Sequence, residues 1–288
     1  CQVFEVKDAD GSLIGVIYLD FFPRESKKGG AWMNNYREQY TTADGKNVRP
    51  VVSLTCNFSK PVGDKPALLS YDEVETFFHE FGHGLHGLLS QCTYEGLAGT
   101  NVSRDFVELP SQIMEHWAAE PEVLKMYAKH YQTGEVIPQE LIDKMDKAGK
   151  FNQGFVTSEF IAAAFLDMDF HTVNMPGEFD VNEFEKKSME KIGLINEIIP
   201  RYRPTYFAHA FSWGYSSGYY SYTWAEVLDA DAFNAFKETG DIFNQDVAKS
   251  FRKNVLERGN TDEPMKLYLN FRGKEPGIEP LLKNRGLL

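Results

Sequence analysis

The chain has 288 residues, of which 42% are hydrophobic, 25% charged and 14% aromatic, enough to bury a sizeable core. Forty-two acidic against 30 basic residues leave a net charge of −12, the wrong sign for a nucleic-acid binder or a partner of anionic lipid. No apolar run approaches the ~18 residues of a membrane span, and the three cysteines (Cys1, Cys56, Cys92) cannot make a disulfide framework and lack the paired spacing of a zinc ribbon.

The opening Cys1-Gln2-Val3-Phe4-Glu5-Val6 reads as the inside of a strand, with no initiator Met and no signal peptide, and predicts a piece of a longer chain. Residues 3–6 and 14–19 are rich in branched and aromatic side chains, and Asp8-Ala9-Asp10-Gly11 between them predicts a hairpin. A loop around Gly29-Gly30 and Asp44-Gly45 follows, then a third strand at 51–58. The prolines at 61 and 66 end the sheet region. From residue 70 the periodicity is helical, with helices expected at 71–90, 105–118, 121–132, 138–149, 155–173, 181–191, 215–237 and 244–257. The expected organisation is a small sheet region, 1–70, continuous with a helical region, 71–288.

Ser70-Tyr71-Asp72-Glu73 is a capping box that starts the first helix. Along it, Val74, Phe78, Phe81, Leu85, Leu88 and Leu89 form an apolar stripe at 100° per residue, with His79 and His83 on the other side. Two histidines four residues apart stand about one turn apart, so both imidazoles reach a single tetrahedral Zn²⁺. Glu80 is rotated to the flank, placed to take a proton from a water at the metal, the arrangement of a zinc peptidase. Gly82, Gly84 and Gly87 each weaken a helix by up to ~1 kcal/mol against Ala, which points to something packing closely on it. Position 89 is Leu, not the third His of the longer metzincin pattern, so the third ligand is expected to be a carboxylate from a later helix. Glu108 and Glu115, seven apart, both fit, and spacing alone does not choose. His86 lies too far along the helix to ligate and is expected in a hydrogen-bonded structural role.

Phe77-Phe78-His79-Glu80-Phe81-Gly82-His83-Gly84-Leu85-His86 resembles the zinc helix of the thimet-oligopeptidase-like peptidases. Arg104-Asp105-Phe106-Val107-Glu108-Leu109-Pro110-Ser111-Gln112 resembles their second zinc motif. Gly99-Thr100-Asn101, Glu115-His116-Trp117 and Phe4-Glu5-Val6-Lys7-Asp8-Ala9-Asp10-Gly11 look like the peptidyl-dipeptidase (dipeptidyl carboxypeptidase) branch. The resemblance implies a mainly α zincin-type peptidase with a small N-terminal β-sheet and a deep substrate channel, of which this chain is the C-terminal part. It selects Glu108 as third ligand to one Zn²⁺ per chain; Glu115, two turns beyond Glu108, is expected to accept the free N–H of a ligating histidine. The resemblance implies short peptide substrates, release of C-terminal dipeptides, and the missing N-terminal half of the chain as a partner. Endo-acting cleavage is the alternative within the family; a non-catalytic zinc-stabilised scaffold is the alternative outside it. A cytoplasmic compartment is expected, with periplasm or secretion left open.

His209, Trp213-Gly214-Tyr215, Gly218-Tyr219-Tyr220 and Tyr222 form a second constellation. On a helix starting near 215, Tyr215, Tyr219 and Tyr222 share a face, the pattern of an aromatic core stripe, but three phenols on one face need partners. By the resemblance, Tyr222 donates to the oxyanion, His209 and Tyr215 hold the substrate backbone, and Tyr219 assists; Tyr220, on a different face, is expected to pack. His116, His130 and His171 are expected to be structural, Cys92 a buried thiol, and the mixed charges at 183–190 solvated surface.

Overall fold

The computed structural model describes residues 1–174 and 177–288. The branched residues near the start form the expected hairpin, β1 (Gln2–Lys7) antiparallel to β2 (Leu13–Asp20), with Phe4 opposite Ile17. Gly11 turns the chain at φ 84°, a left-handed value that glycine adopts without strain. The segment read as a loop holds a further strand, β3 (Trp32–Arg37), and a short ribbon of β4 (Tyr40–Thr41) and β5 (Asn47–Val48). The expected strand at 51–58 is β6 (Val51–Thr55), parallel to β2 and antiparallel to β3, with Met33 opposite Leu54. The sheet order β1-β2-β6-β3 leaves β3 at a free edge.

The capping box forms as expected: Ser70 Oγ accepts from the Glu73 amide at 3.2 Å, and Glu73 Oε2 accepts from the Ser70 amide at 2.8 Å. It starts α1 (Tyr71–Leu89). The apolar residues of α1 do not form a single stripe. Phe77, Phe81 and Leu88 pack with Ile17, Val52 and Leu54 of the sheet, whereas Phe78 joins the helical core. The helix is therefore sandwiched, and its glycines mark the contacts. A Cβ on Gly82 would lie 2.1 Å from the Pro110 carbonyl, and one on Gly87 2.5 Å from the Met33 methyl.

The expected helix 105–118 is broken into α2 (Arg104–Val107) and α3 (Leu109–Ala119), with Glu108 at the joint. Pro110 is the cause, since it has no amide to donate and fits only in a first turn. The expected helix 121–132 ends early, as α4 (Pro121–Tyr127), where the chain bends into a bridge between Lys129 and Val136 with Gly134 at φ 74°. Then follow α5 (Gln139–Gly149), α6 (Gln153–Thr172), α7 (Val181–Lys191) and the one-turn α8 (Ala208–Phe211). The helix expected from 215 begins six residues later, as α9 (Ser221–Lys237). Beyond it, α10 (Gln245–Phe251) runs into a π-helical turn (Arg252–Leu256), and α11 (Pro264–Arg272) and α12 (Glu279–Asn284) complete the chain. The largest apolar cluster joins α2, α3, α9, α10 and α11 around Phe106, Leu109, Leu228, Phe233 and Phe251. No helix among the described residues is long and apolar enough to cross a membrane.

Candidate active site

Two segments place three donors together. His79 and His83 come from the middle of α1, and Glu108 from the joint that Pro110 forces ahead of α3. One nitrogen of each histidine and one oxygen of Glu108 lie within 4.8 Å of one another. Glu108 Oε2 is 3.3 Å from His79 Nε2 and 3.1 Å from His83 Nε2. Atoms bound at ~2.0–2.1 Å to a tetrahedral zinc stand roughly 3.3–3.4 Å apart, so the donor set fits that ion in chemistry and spacing. The Glu115 carboxylate sits 2.5 Å from the other nitrogen of His79, Nδ1. Burial disfavours the imidazolium of His79, but hydrogen bonds to Glu108 and Glu115 outweigh it and raise the pKa well above normal. Burial works against the charge of Glu108 too, and His83 and His79 overcome it, holding the carboxyl well below the usual range. With Glu80 also beside them, this is a concentration of carboxylates that a bound cation would balance.

Glu80 is buried, and its Oε2 has no hydrogen-bond partner among the described residues. Burial pushes its pKa up, with His79 and His83 pulling the other way. His79, Glu80, His83 and Glu108 line one cavity of about 560 Å³ together with His209, Tyr215 and Tyr222. Lys28, Trp32 and Asn34 close another side, so the edge strand β3 and the glycines before it form part of the cavity. That wall was missed in the sequence; the Gly29-Gly30 pair ahead of Trp32 is its only local mark.

The tyrosines converge without the helix expected to align them. Residues 216–220 form turns, yet the Tyr215 and Tyr222 rings stack at 5.2 Å. The Tyr215 hydroxyl donates to Glu108 Oε1 at 2.7 Å, so it steadies the carboxylate of the donor set. Tyr222 is held by its backbone as well, its carbonyl accepting from Gln112 Nε2 at 3.3 Å. Burial first, then Glu108, pushes the Tyr222 pKa upward, so the hydroxyl keeps its proton and remains a donor. His209 is half-buried, and burial followed by Arg201 lowers its pKa.

Tyr219 is not brought to the cavity. It is buried in an apolar cluster with Phe160 and Phe207. Tyr220 is exposed and donates to Asp105 at 3.0 Å, where packing had been expected. His86 is fully buried, but the hydrogen-bonded role expected for it is not formed: neither ring nitrogen has a partner among the described residues, and burial drives its pKa down to about 3. The other three histidines do have partners: His116 faces Asp229 at 2.6 Å, His171 faces Asp167 at 2.9 Å, and His130 Nδ1 accepts from the Thr133 amide. Cys92 is a buried free thiol.

Two expected results follow from this geometry. Glu115→Gln removes the negative charge facing His79 Nδ1 and is expected to weaken metal affinity by ~10–100-fold. An unchanged metal titration would show that the contact contributes nothing. Gly82→Ala is expected to drive α3 away from α1 and pull Glu108 out of the donor set. Overpacking of this kind costs about 1–3 kcal/mol, visible as a lowered melting temperature together with weakened zinc binding.

The chain matches Peptidase family M3 over residues 1–287. It is 45% identical to the dipeptidyl carboxypeptidase of Escherichia coli, in a match covering 99% of this chain and 42% of that one. It is 43% identical to oligopeptidase A of the same organism, again over 99% and 42% of the two chains. Saccharolysin of Saccharomyces cerevisiae is 35% identical over 96% of this chain and 39% of its own. The chain thus spans about two-fifths of the length of these relatives. Among solved structures, that of CHT superposes with a TM-score of 0.56 at 12% identity, covering 93% of this chain and 54% of that one, a likeness of fold alone. The matching family and the high identity to its curated relatives lead to one conclusion: this chain belongs to Peptidase family M3.

Proposed function

We propose that this chain is the catalytic portion of a zinc-dependent peptidase that acts on short peptides and releases dipeptides from their C-terminus. The observation that carries the proposal is the His79, His83 and Glu108 donor set facing the same cavity as the unpartnered Oε2 of buried Glu80. A Zn²⁺ ion held by these three residues would supply Lewis acidity, lowering the pKa of a water towards ~7 and polarising a carbonyl.

The chain's own residues supply the rest. Glu80 accepts the proton of the attacking water at Oε2 and passes it to the leaving amine nitrogen, and burial, which raises its pKa, suits it to both roles. The Tyr222 hydroxyl donates to the carbonyl oxygen as negative charge develops there. Tyr215 keeps Glu108 in place. His209, on the same wall, positions the substrate backbone. The free edge of β3 offers unpaired amides and carbonyls along the cavity, a template for an extended peptide to pair with as an added strand.

Dipeptide release is supported by where the branch-like residues stand. Thr100, Asn101 and Arg104 all line the cavity, and the Arg104 guanidinium lies 5.1 Å from the centre of the Tyr215 ring, a cation available to a C-terminal carboxylate. The similarity to oligopeptidase A supports endo-acting cleavage as the second reading. Mass spectrometry of products from one peptide with a free C-terminus and its amidated twin separates the two. Dipeptides from the free acid alone are expected; equal cleavage of both at internal bonds establishes the second reading. We further propose that the region present in the longer relatives completes the channel wall, since Phe151, Phe155 and Phe165 leave apolar surface exposed around α6. This chain alone is expected to bind zinc, self-associate and turn over peptide poorly. Full activity as an isolated monomer would remove that part of the proposal.

A further inference from the structure

Asp167, on α6, is a carboxylate with no exposed surface. The two backbone amides it binds lie 50 and 52 residues further along the chain. Its Oδ1 accepts from the Ser217 amide at 3.0 Å and its Oδ2 from the Tyr219 amide at 2.9 Å. His171, one turn along the same helix, places Nδ1 2.9 Å from Oδ1 and is the only charged or titratable side chain paired with it among the described residues. A buried carboxylate is costly unless its lone pairs are taken up, and here backbone amides of one loop take them.

That loop is the one carrying the tyrosines. It needs such an anchor, because Ser217 sits at φ 55°, a left-handed conformation that costs an L-residue roughly 1–2 kcal/mol. The loop has further ties at its two ends, where the Tyr215 amide donates to the His209 carbonyl at 3.0 Å and the Ser221 amide donates to the Gly218 carbonyl at 3.0 Å. The second of these leads directly into the first turn of α9, which bears Tyr222. Tyr215 in turn stacks on Tyr222 and reaches Glu108.

We propose that Asp167 is a positioning residue of the active site: by gripping the Ser217 and Tyr219 amides it locks the tyrosine loop and sets where the Tyr222 hydroxyl stands over the zinc-binding donors. The proposal rests on reading Tyr222 as the oxyanion donor. Asp167 belongs neither to the donor set nor to the residues lining the cavity, and it acts through the backbone of the loop it holds.

Asp167→Asn keeps the size of the side chain but turns an NH₂ group towards one of the two amides. The test uses the zinc-loaded protein in whichever form turns over a quenched peptide, this chain alone or joined to the region its relatives carry. Asp167→Asn is expected to retain zinc, to speed hydrogen exchange at the Ser217 and Tyr219 amides, and to lower kcat about 10–100-fold with little change in KM. Glycine at 217 removes the left-handed penalty, so Ser217→Gly in the Asp167→Asn background is expected to recover about five-fold in kcat. In a Tyr222→Phe background, Asp167→Asn is expected to cost little more. Should Asp167→Asn not fold, Ser217→Val tests the same lock, since a β-branched residue does not hold that φ and kcat should fall in the same way. Unchanged amide exchange, unchanged kcat in a folded variant, or a full loss persisting in the Tyr222→Phe background would each overturn the proposal. Failure of the oxyanion reading is detected separately, by Tyr222→Phe alone.

Discussion

Glu80→Gln is expected to stop peptide hydrolysis while leaving one zinc ion per chain. Glutamine fills the same space next to His79 but cannot accept a proton from water, and general-base catalysis is worth about 10²–10⁴-fold. The donor set of His79, His83 and Glu108 does not include Glu80, so metal binding should survive. His79→Ala, His83→Ala and Glu108→Ala should each lose the ion instead. Metal analysis beside turnover of a quenched peptide reads both effects at once. Loss of zinc from Glu80→Gln as complete as from His79→Ala would make Glu80 a ligand and refute its assignment as the base.

The second large effect is expected from Tyr222→Phe. Removing one donor to a developing oxyanion typically lowers kcat by about 10²–10³-fold, because the hydrogen bond strengthens only as charge builds on the carbonyl oxygen. KM should move little, since ground-state contacts remain. The substitution is a clean one in packing terms. Tyr222 stacks on Tyr215 and lies edge-on to Phe160, and a phenyl ring preserves both contacts. A rate near that of the unmodified protein would assign Tyr222 to packing alone. A change confined to KM would assign it to substrate positioning.

What could be read from the sequence was local. The start of α1 is set by Ser70 and Glu73, three residues apart, and the shared face of His79 and His83 by one helical turn. The glycines announced close contacts but not their partners, which are Pro110 for Gly82 and Met33 for Gly87. Pro110 also marked the break that sets Glu108 apart, a signal present in the chain and easily passed over when the apolar spacing around it looks helical. Spacing left Glu108 and Glu115 equal. The fold separates them: Glu108 meets the Nε2 atoms of both histidines, and Glu115 meets only His79 Nδ1.

Where partners lie far apart along the chain, only the tertiary structure decided the outcome. Strand β3 lacks alternating branched residues, and its pairing with β6, some twenty residues on, makes it a strand and a wall of the cavity. The tyrosines were expected together on helical spacing and meet for a different reason: Asp167 holds the loop before α9, while Tyr219, on the supposed shared face, turns into the core. Capping and periodicity depend on neighbours within a turn or two, which any stretch of sequence displays. An edge strand or a non-helical loop shows no such repeating local pattern, and its shape depends also on groups brought to it from far along the chain, as Asp167 is to the Ser217 and Tyr219 amides.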